Sequence, residues 1–247
     1  MLKCSARGLK ASGNQCHNDP HSDLTFRDTN LKHRLACPAG YGAPDMSTGR
    51  YITLEGAEGC GKSTHAARLA IALDAVLTRE TGGTAIGQRI RTILHDTSVT
   101  NLSHRAEALL TAADRAQHIH EVVAPALAAG RHVVSDRSVY STLAYQGYGR
   151  ELPLAEVRRL NKWAVGTHWP DLVLLLDTAP EVLERRMRGR QLDRFEQEGE
   201  EFHRRVRDGF QHMAEGEPER WVIIDGSKSM DAVTRAIRSA VKARLGI

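Results

Sequence analysis

The sequence predicts an α/β fold, a five-stranded parallel sheet with helices on both faces. Two observations carry this expectation. From Tyr51 onward, short β-prone runs alternate with segments of helical period, the pattern of a parallel sheet whose crossovers are helices. The first run, Tyr51-Ile52-Thr53-Leu54, feeds the glycine-rich stretch from Glu55 to Thr64, and the helix-forming Ala66-Ala67-Arg68-Leu69-Ala70 follows it. Strand, turn and helix therefore stand in register.

Taken in order, the first strand covers residues 51–55 and its helix residues 62–73. A short second strand is expected at 75–79. Thr84 caps a helix in which Ile86, Ile90, Ile93 and Leu94 recur at helical spacing. Ser103 opens a longer helix with Leu109, Leu110, Ala113, Ala116 and Val123 as its expected apolar face. Pro125 should kink that helix before Gly130 ends it. Residues 132–136, His-Val-Val-Ser-Asp, form a buried strand ending in an acid. A helix at 153–166 precedes 171–177, the most hydrophobic strand of the chain. Pro180 suits the first turn of a helix that runs into Arg185, Arg186 and Arg188. A polar stretch of mixed charge then reaches Phe210. Residues 221–225 supply the fifth strand. The last helix, 231–245, buries Val233, Ile237, Val241 and Leu245. There are no internal repeats.

Residues 1–48 have a different character. They mix Ser, Asn, Asp, His, Gly and Pro without an apolar period, so a disordered N-terminal extension is expected, with Met46 as a possible native start. Their Cys and His residues match no zinc spacing. The remaining 49–247 make one domain. With 41% hydrophobic and 26% charged residues, that length builds a core without staples. Three of only four cysteines precede the folded part, which points to a reducing compartment and, with no apolar run long enough to span a bilayer, to the cytoplasm. The net charge of +4 suits a handler of phosphorylated small molecules. A nucleic-acid enzyme would want a basic stripe interleaved with aromatics, and only 5% of residues are aromatic.

The turn after the first strand, Gly56-Ala57-Glu58-Gly59-Cys60-Gly61-Lys62-Ser63-Thr64, fits G-x-x-x-x-G-K-[ST] at every fixed position. Its glycines let backbone N–H groups turn toward an anion, and the following helix adds its positive end. Lys62 would reach the β- and γ-phosphates, and the Ser63 hydroxyl would ligate Mg²⁺. The stretch is expected to bind a nucleoside triphosphate. Asp136, at the carboxyl edge where ligands of open α/β sheets collect, could orient the Mg²⁺ shell, with Arg137 beside it aimed at an anionic substrate. Cys60 is expected to be a small residue tolerated in a tight loop rather than a redox switch.

The segment Asp136-Arg137-Ser138-Val139-Tyr140-Ser141-Thr142-Leu143-Ala144-Tyr145-Gln146 resembles the D-R-Y-x-x-S-x-x-A-Y-Q signature of thymidylate kinases. Thr78-Arg79-Glu80-Thr81-Gly82-Gly83-Thr84, the run Glu107–Arg115, Pro170-Asp171-Leu172 and Leu192-Asp193-Arg194-Phe195-Glu196 resemble further segments of that family in the same order. The resemblance covers the chain from about Tyr51 to its end. It implies a P-loop kinase fold with a mobile lid at about 186–199, and transfer of the γ-phosphoryl group of ATP to thymidine monophosphate, with Mg²⁺. It further implies that Arg79 and Arg137 hold the acceptor phosphate and that Glu58 lies near the sugar 3′-hydroxyl. Arg115, Thr142 and Gln146 would meet the base, Tyr145 the deoxyribose, and Ser141 belongs to the same substrate segment. The family also suggests a homodimer, with the helix from Ser103 as interface.

Because the phosphate loop carries no arginine, the resemblance places catalytic guanidinium groups in the lid, with Arg188 and Arg194 the chosen candidates. The chain departs from the family pattern in three places. Thr81 replaces a proline; a cis bond there would cost about 3 kcal/mol without proline, so a different local backbone is expected. Ser138 replaces an aromatic residue. Thr111 stands where a phenylalanine would stack on thymine, which leaves open a kinase for another or a modified pyrimidine deoxynucleoside monophosphate.

Overall fold

The structure, a computed structural model, describes residues 49–247. The expectations of a disordered extension over 1–48 and of Met46 as a start lie outside the described residues.

Five strands, β1 (Tyr51–Glu55), β2 (Val76–Arg79), β3 (Val133–Asp136), β4 (Leu172–Asp177) and β5 (Trp221–Asp225), form one sheet in the order β2-β3-β1-β4-β5. Every pairing is parallel. The strands are apolar almost throughout because both faces are covered. In β4, Leu172, Leu174 and Leu176 enter one core, with α1 (Lys62–Leu73) and α9 (Met230–Leu245). Val173 and Leu175 enter the other.

Register decides where chemistry can gather. Leu54 and Arg79 both pair with Asp136, and the Arg137 N–H donates to the Leu54 carbonyl at 3.0 Å. The phosphate-loop stretch, Arg79 and the Asp136-Arg137 pair thus leave one carboxyl edge together.

The helices on that edge depart from expectation in two places. α2 (Ala85–His95) is capped as expected, the Thr84 hydroxyl accepting from Gly87 N at 2.9 Å, but Ile86 and Ile93 are exposed. α3 (His104–His118) turns the opposite face to the core from the one its apolar residues predict. Leu109, Ala113 and Ala116 are exposed, whereas Glu107, Thr111, Asp114, Arg115 and His118 are buried. The inward face is polar because most of its side chains find partners on neighbouring elements, and Thr111 and Arg115 line the cleft, as shown below. A wide π-helical turn, Ile119–Val123, then leads to α4 (Ala124–Ala128), so the chain widens just before Pro125.

A second π-helical stretch, Leu143–Gly149, continues α5 (Val139–Thr142) and buries every residue except Tyr148, which is half-buried. After α6 (Leu154–Val165), α7 (Pro180–Met187) leads into the lid. The polar stretch that follows is largely α8 (Glu200–Gly216), a helix the charges conceal. Phe202, Val206, Phe210 and Met213 repeat at i, i+4, i+8 and i+11 and are buried against the π-helical stretch. Gly209 lets that contact form, since a Cβ there would sit 2.6 Å from the Tyr148 ring.

Candidate active site

The phosphate loop joins β1 to α1, and its glycines are dictated by geometry. Gly56 has φ 137°, and a Cβ on it would lie 2.7 Å from the Leu176 carbonyl oxygen. Gly61, at φ 96°, caps α1 in the left-handed region that suits glycine. Lys62 is buried and its Nζ donates to the Ala57 carbonyl at 2.7 Å, which holds the ammonium across the loop. Cys60 is buried against the core, where its Sγ also receives Lys62 Nζ at 3.6 Å.

Beside the loop, the Ser63 hydroxyl donates to Asp136 Oδ2, while Oδ1 of the same carboxylate is buried without a partner among the described residues. A hydroxyl touching a carboxylate with an unused oxygen is a hard-donor set of the kind Mg²⁺ takes.

Arg137 is the centre of the edge. It adopts φ 72°, and its Nη1 donates to the Gly56 carbonyl and to Ser141 Oγ, both at 3.0 Å. Its Nη2 donates to the Tyr145 hydroxyl at 3.1 Å and pairs with Glu58 of the loop. Burial would raise the Glu58 pKa, but Arg137 and Lys62 outweigh it and hold the carboxyl at about 2. Behind Arg137, Glu55 is fully buried and accepts from Ser138 Oγ (2.7 Å) and Ser141 Oγ (2.6 Å). Burial dominates there and pushes its pKa up to about 7.

Farther in, Arg115 is buried and almost fully engaged. Nε donates to Glu80 (2.8 Å), Nη1 to Asn161, and Nη2 to the Ser138 carbonyl (3.2 Å) and Thr142 Oγ1 (3.0 Å). One Nη1 hydrogen is left over. Glu80 also receives His118 Nδ1 at 2.9 Å. Burial raises the Glu80 pKa, but Arg115 and His118 more than reverse that. Gln146 Nε2 donates to Glu107 at 2.9 Å, and Thr111 bonds back to the Ala108 carbonyl. The Glu80–Thr81 peptide is cis.

These groups converge on one cleft of about 530 Å³. Among the loop positions, Glu58, Gly59, Gly61, Lys62, Ser63 and Thr64 line it. Arg79, Arg115, Asp136 and Arg137 do so as well, with Ser141, Thr142, Tyr145 and Gln146 completing the expected set. Gly56, Ala57 and Cys60 stand outside its lining. Arg91 of α2 was missed by sequence reasoning. It lines the cleft and donates to the Thr81 carbonyl at 3.3 Å; burial and the neighbouring Arg79 lower its pKa. Its only sequence signal is a cation on the helix after the Arg79 segment.

The lid requires a correction. Arg194 does not face the cleft. Its Nε donates to the Leu94 carbonyl at 2.8 Å and its Nη2 to the buried Glu107 at 2.6 Å, with the guanidinium stacked on Phe195. A carboxylate buried in α3 attracts it more strongly than open solvent can, so Arg194 fastens the lid to the body. His95 and Asp193 add a second tie at 2.7 Å. Arg188 is also off the wall, exposed and paired only with Glu184 at 3.6 Å. The lid arginines on the cleft are Arg186, which donates to the Gly226 carbonyl at 3.1 Å, and Arg190.

Comparison with known proteins agrees with this geometry. A family model described as thymidylate kinase matches residues 54–237. The chain is 52% identical over 201 residues to a thymidylate kinase of Synechococcus sp. (strain JA-3-3Ab), covering 79% of this chain and 96% of the relative. It is 44% identical over 202 residues to one from Bifidobacterium longum (strain NCC 2705), covering 78% and 98%. Among solved structures, the crystal structure of thymidylate kinase from Ehrlichia chaffeensis superposes with a TM-score of 0.66 at 29% identity. That match covers 79% of this chain and 99% of the other.

Proposed function

The chain belongs to the thymidylate kinase family, and we infer from its own cleft how it passes the γ-phosphoryl group of ATP to thymidine monophosphate, giving thymidine diphosphate. The observation that carries the reading is the delivery of Lys62, Arg79 and Arg137 to one cleft by three adjacent strand ends. The acceptor is a phosphate oxygen that is already anionic near neutral pH. No base is needed; two polyanions must be aligned and their charge neutralised.

The loop amides and Lys62 hold the triphosphate of ATP. Arg79 and Arg137 hold the acceptor phosphate, which competes with Glu58 for the Arg137 guanidinium. Glu58, ionised across the neutral range, then accepts from the sugar 3′-hydroxyl. Tyr145 packs on the deoxyribose, with Ser141 bracing Arg137, and Arg115, Thr142 and Gln146 border the base. Ser63 and Asp136 would hold Mg²⁺, which would neutralise phosphate charge when bound. In the lid, Arg188 is exposed and paired only with Glu184, free to swing toward the transferring group, and Arg186, two residues before it, lines the cleft. We further propose a homodimer, supported by the exposed Ile86 and Ile93 on α2 and Leu109 on α3, and a cytoplasmic setting, supported by the cysteine usage.

The test is a coupled ATP-consumption assay over a panel of nucleoside monophosphates. Thymidine monophosphate should rank first. Thr111 in the cleft wall, with no aromatic at its position, favours as second reading a kinase for another pyrimidine deoxynucleotide. Thymidine monophosphate ranking below deoxyuridine or deoxycytidine analogues would establish that reading instead.

A further inference from the structure

A glutamine side chain offers a carbonyl on one side and an amide NH₂ on the other, and its shape does not decide which faces a ligand. For Gln146 the decision is made from behind. Its Nε2 donates at 2.9 Å to Glu107, whose side chain is completely buried in α3. Glu107 Oε1 also receives Arg150 Nε (3.2 Å), and Oε2 receives Arg150 Nη2 (3.2 Å) and Arg194 Nη2 (2.6 Å). Two guanidinium groups keep this carboxylate ionised, so it can only accept. A reversed amide would set Gln146 Oε1 against a carboxylate oxygen in a buried place, which is strongly unfavourable.

Oε1 is therefore the polar atom Gln146 has left for the cleft it lines, and it has no hydrogen-bond partner among the described residues. The neighbouring Thr142 is polarised the opposite way. Its Oγ1 accepts from the donor-only Arg115 Nη2 at 3.0 Å, so its own proton remains to be given away. Gln146 thus presents an acceptor and Thr142 a donor. A thymine or uracil ring offers an imide N–H beside a carbonyl, which matches both. A cytosine ring sets a bare ring nitrogen against the Gln146 oxygen, acceptor against acceptor, although its amino group could still use the second lone pair of Thr142 Oγ1.

We propose that Glu107 is a positioning residue for base selection: by holding the Gln146 amide nitrogen it presents Gln146 Oε1 to the ring imide N–H of a thymine or uracil and so excludes cytosine. This rests on the reading of the cleft as a pyrimidine monophosphate site. It gives that site a means of choosing its base that does not depend on an aromatic at Thr111.

The experiment measures kcat/KM for thymidine monophosphate and for deoxycytidine monophosphate in the wild-type enzyme, in Glu107→Gln and in Arg194→Ala. The ratio of the two values cancels any loss of active protein. Glu107→Gln, which lets the Gln146 amide turn over, should lower the ratio at least tenfold. Arg194→Ala disturbs the same ion cluster but leaves Glu107 ionised through Arg150, and should keep the ratio within about twofold. A ratio unchanged in Glu107→Gln, or lowered equally in Arg194→Ala, overturns the proposal while the kinase reading stands. If Glu107→Gln does not fold, exchange of the Gln146 side-chain amide protons in the wild-type enzyme decides. Slow exchange supports their burial against Glu107, and fast exchange refutes it. Failure of the wild-type enzyme to phosphorylate thymidine monophosphate would instead remove the functional reading and this proposal with it.

Discussion

Glu58 in the phosphate loop and Arg137 after β3, 79 residues apart in sequence, form an ion pair across the floor of the cleft. Glu55, at the end of β1 beneath them, is pushed the other way, so the two acids respond oppositely to pH. Glu58 has a folded pKa of about 2, below its unfolded value near 4.5. Its contribution to stability is present above pH 4.5 and is lost as pH falls toward 2. Glu55 has a folded pKa of about 7, so the folded state binds the extra proton and stability falls as pH rises from 4.5 through 7. Melting temperatures from pH 3 to 9 should show that decline, and Glu55→Gln should flatten it. An undiminished slope in the variant would refute the assignment.

The two lid arginines chosen from the sequence should separate by experiment. Arg188→Ala should lower kcat on the order of a hundredfold with little change in melting temperature, as expected for a guanidinium used only in transfer. Arg194→Ala removes one of the two guanidinium partners of a buried carboxylate. It should cost roughly 2 kcal/mol, less than the ~3–5 kcal/mol of a wholly unpaired buried charge because Arg150 remains. Urea unfolding and steady-state kinetics on the same preparations distinguish the outcomes.

Gly87→Ala tests the approach of α2 to α3. A Cβ there would lie 2.3 Å from Asp114 Oδ1 and 3.0 Å from Thr84 Oγ1, and both oxygens already hold hydrogen bonds. The alanine should destabilise the protein by about 1–3 kcal/mol despite its better helix propensity. A melting temperature equal to wild type would show that the helices shift freely.

Leu109→Asp probes the proposed homodimer. The side chain is 58% exposed on α3, so the substitution should leave the fold intact and shift sedimentation from dimer to monomer. A wild-type chain that sediments as a monomer excludes the dimer outright.

The strands and the phosphate loop were legible because their signals are local: apolar runs for the sheet, fixed glycines for the turn. α8 was not, since its Arg and Glu residues dominate the composition while Phe202, Val206, Phe210 and Met213 carry the period beneath them. α3 misleads for a deeper reason. Its inner face is polar, so hydrophobic period alone points to Leu109 and away from Glu107 and Arg115. Arg194 shows the same limit at the site itself: a charged residue in a lid segment looks catalytic until the carboxylate it meets, 87 positions earlier, is known.

The π-helical stretch Leu143–Gly149 has a genetic consequence. Its widened winding aims Tyr145 at Arg137 and Gln146 at Glu107 from adjacent positions, while Gly149 gives its carbonyl to Arg205 of α8. Exchanging one side chain here alters one contact. Deleting a single codon would tighten the coil by a residue and rotate both partners off target at once. Drift in this stretch should therefore proceed by replacement, with length held constant.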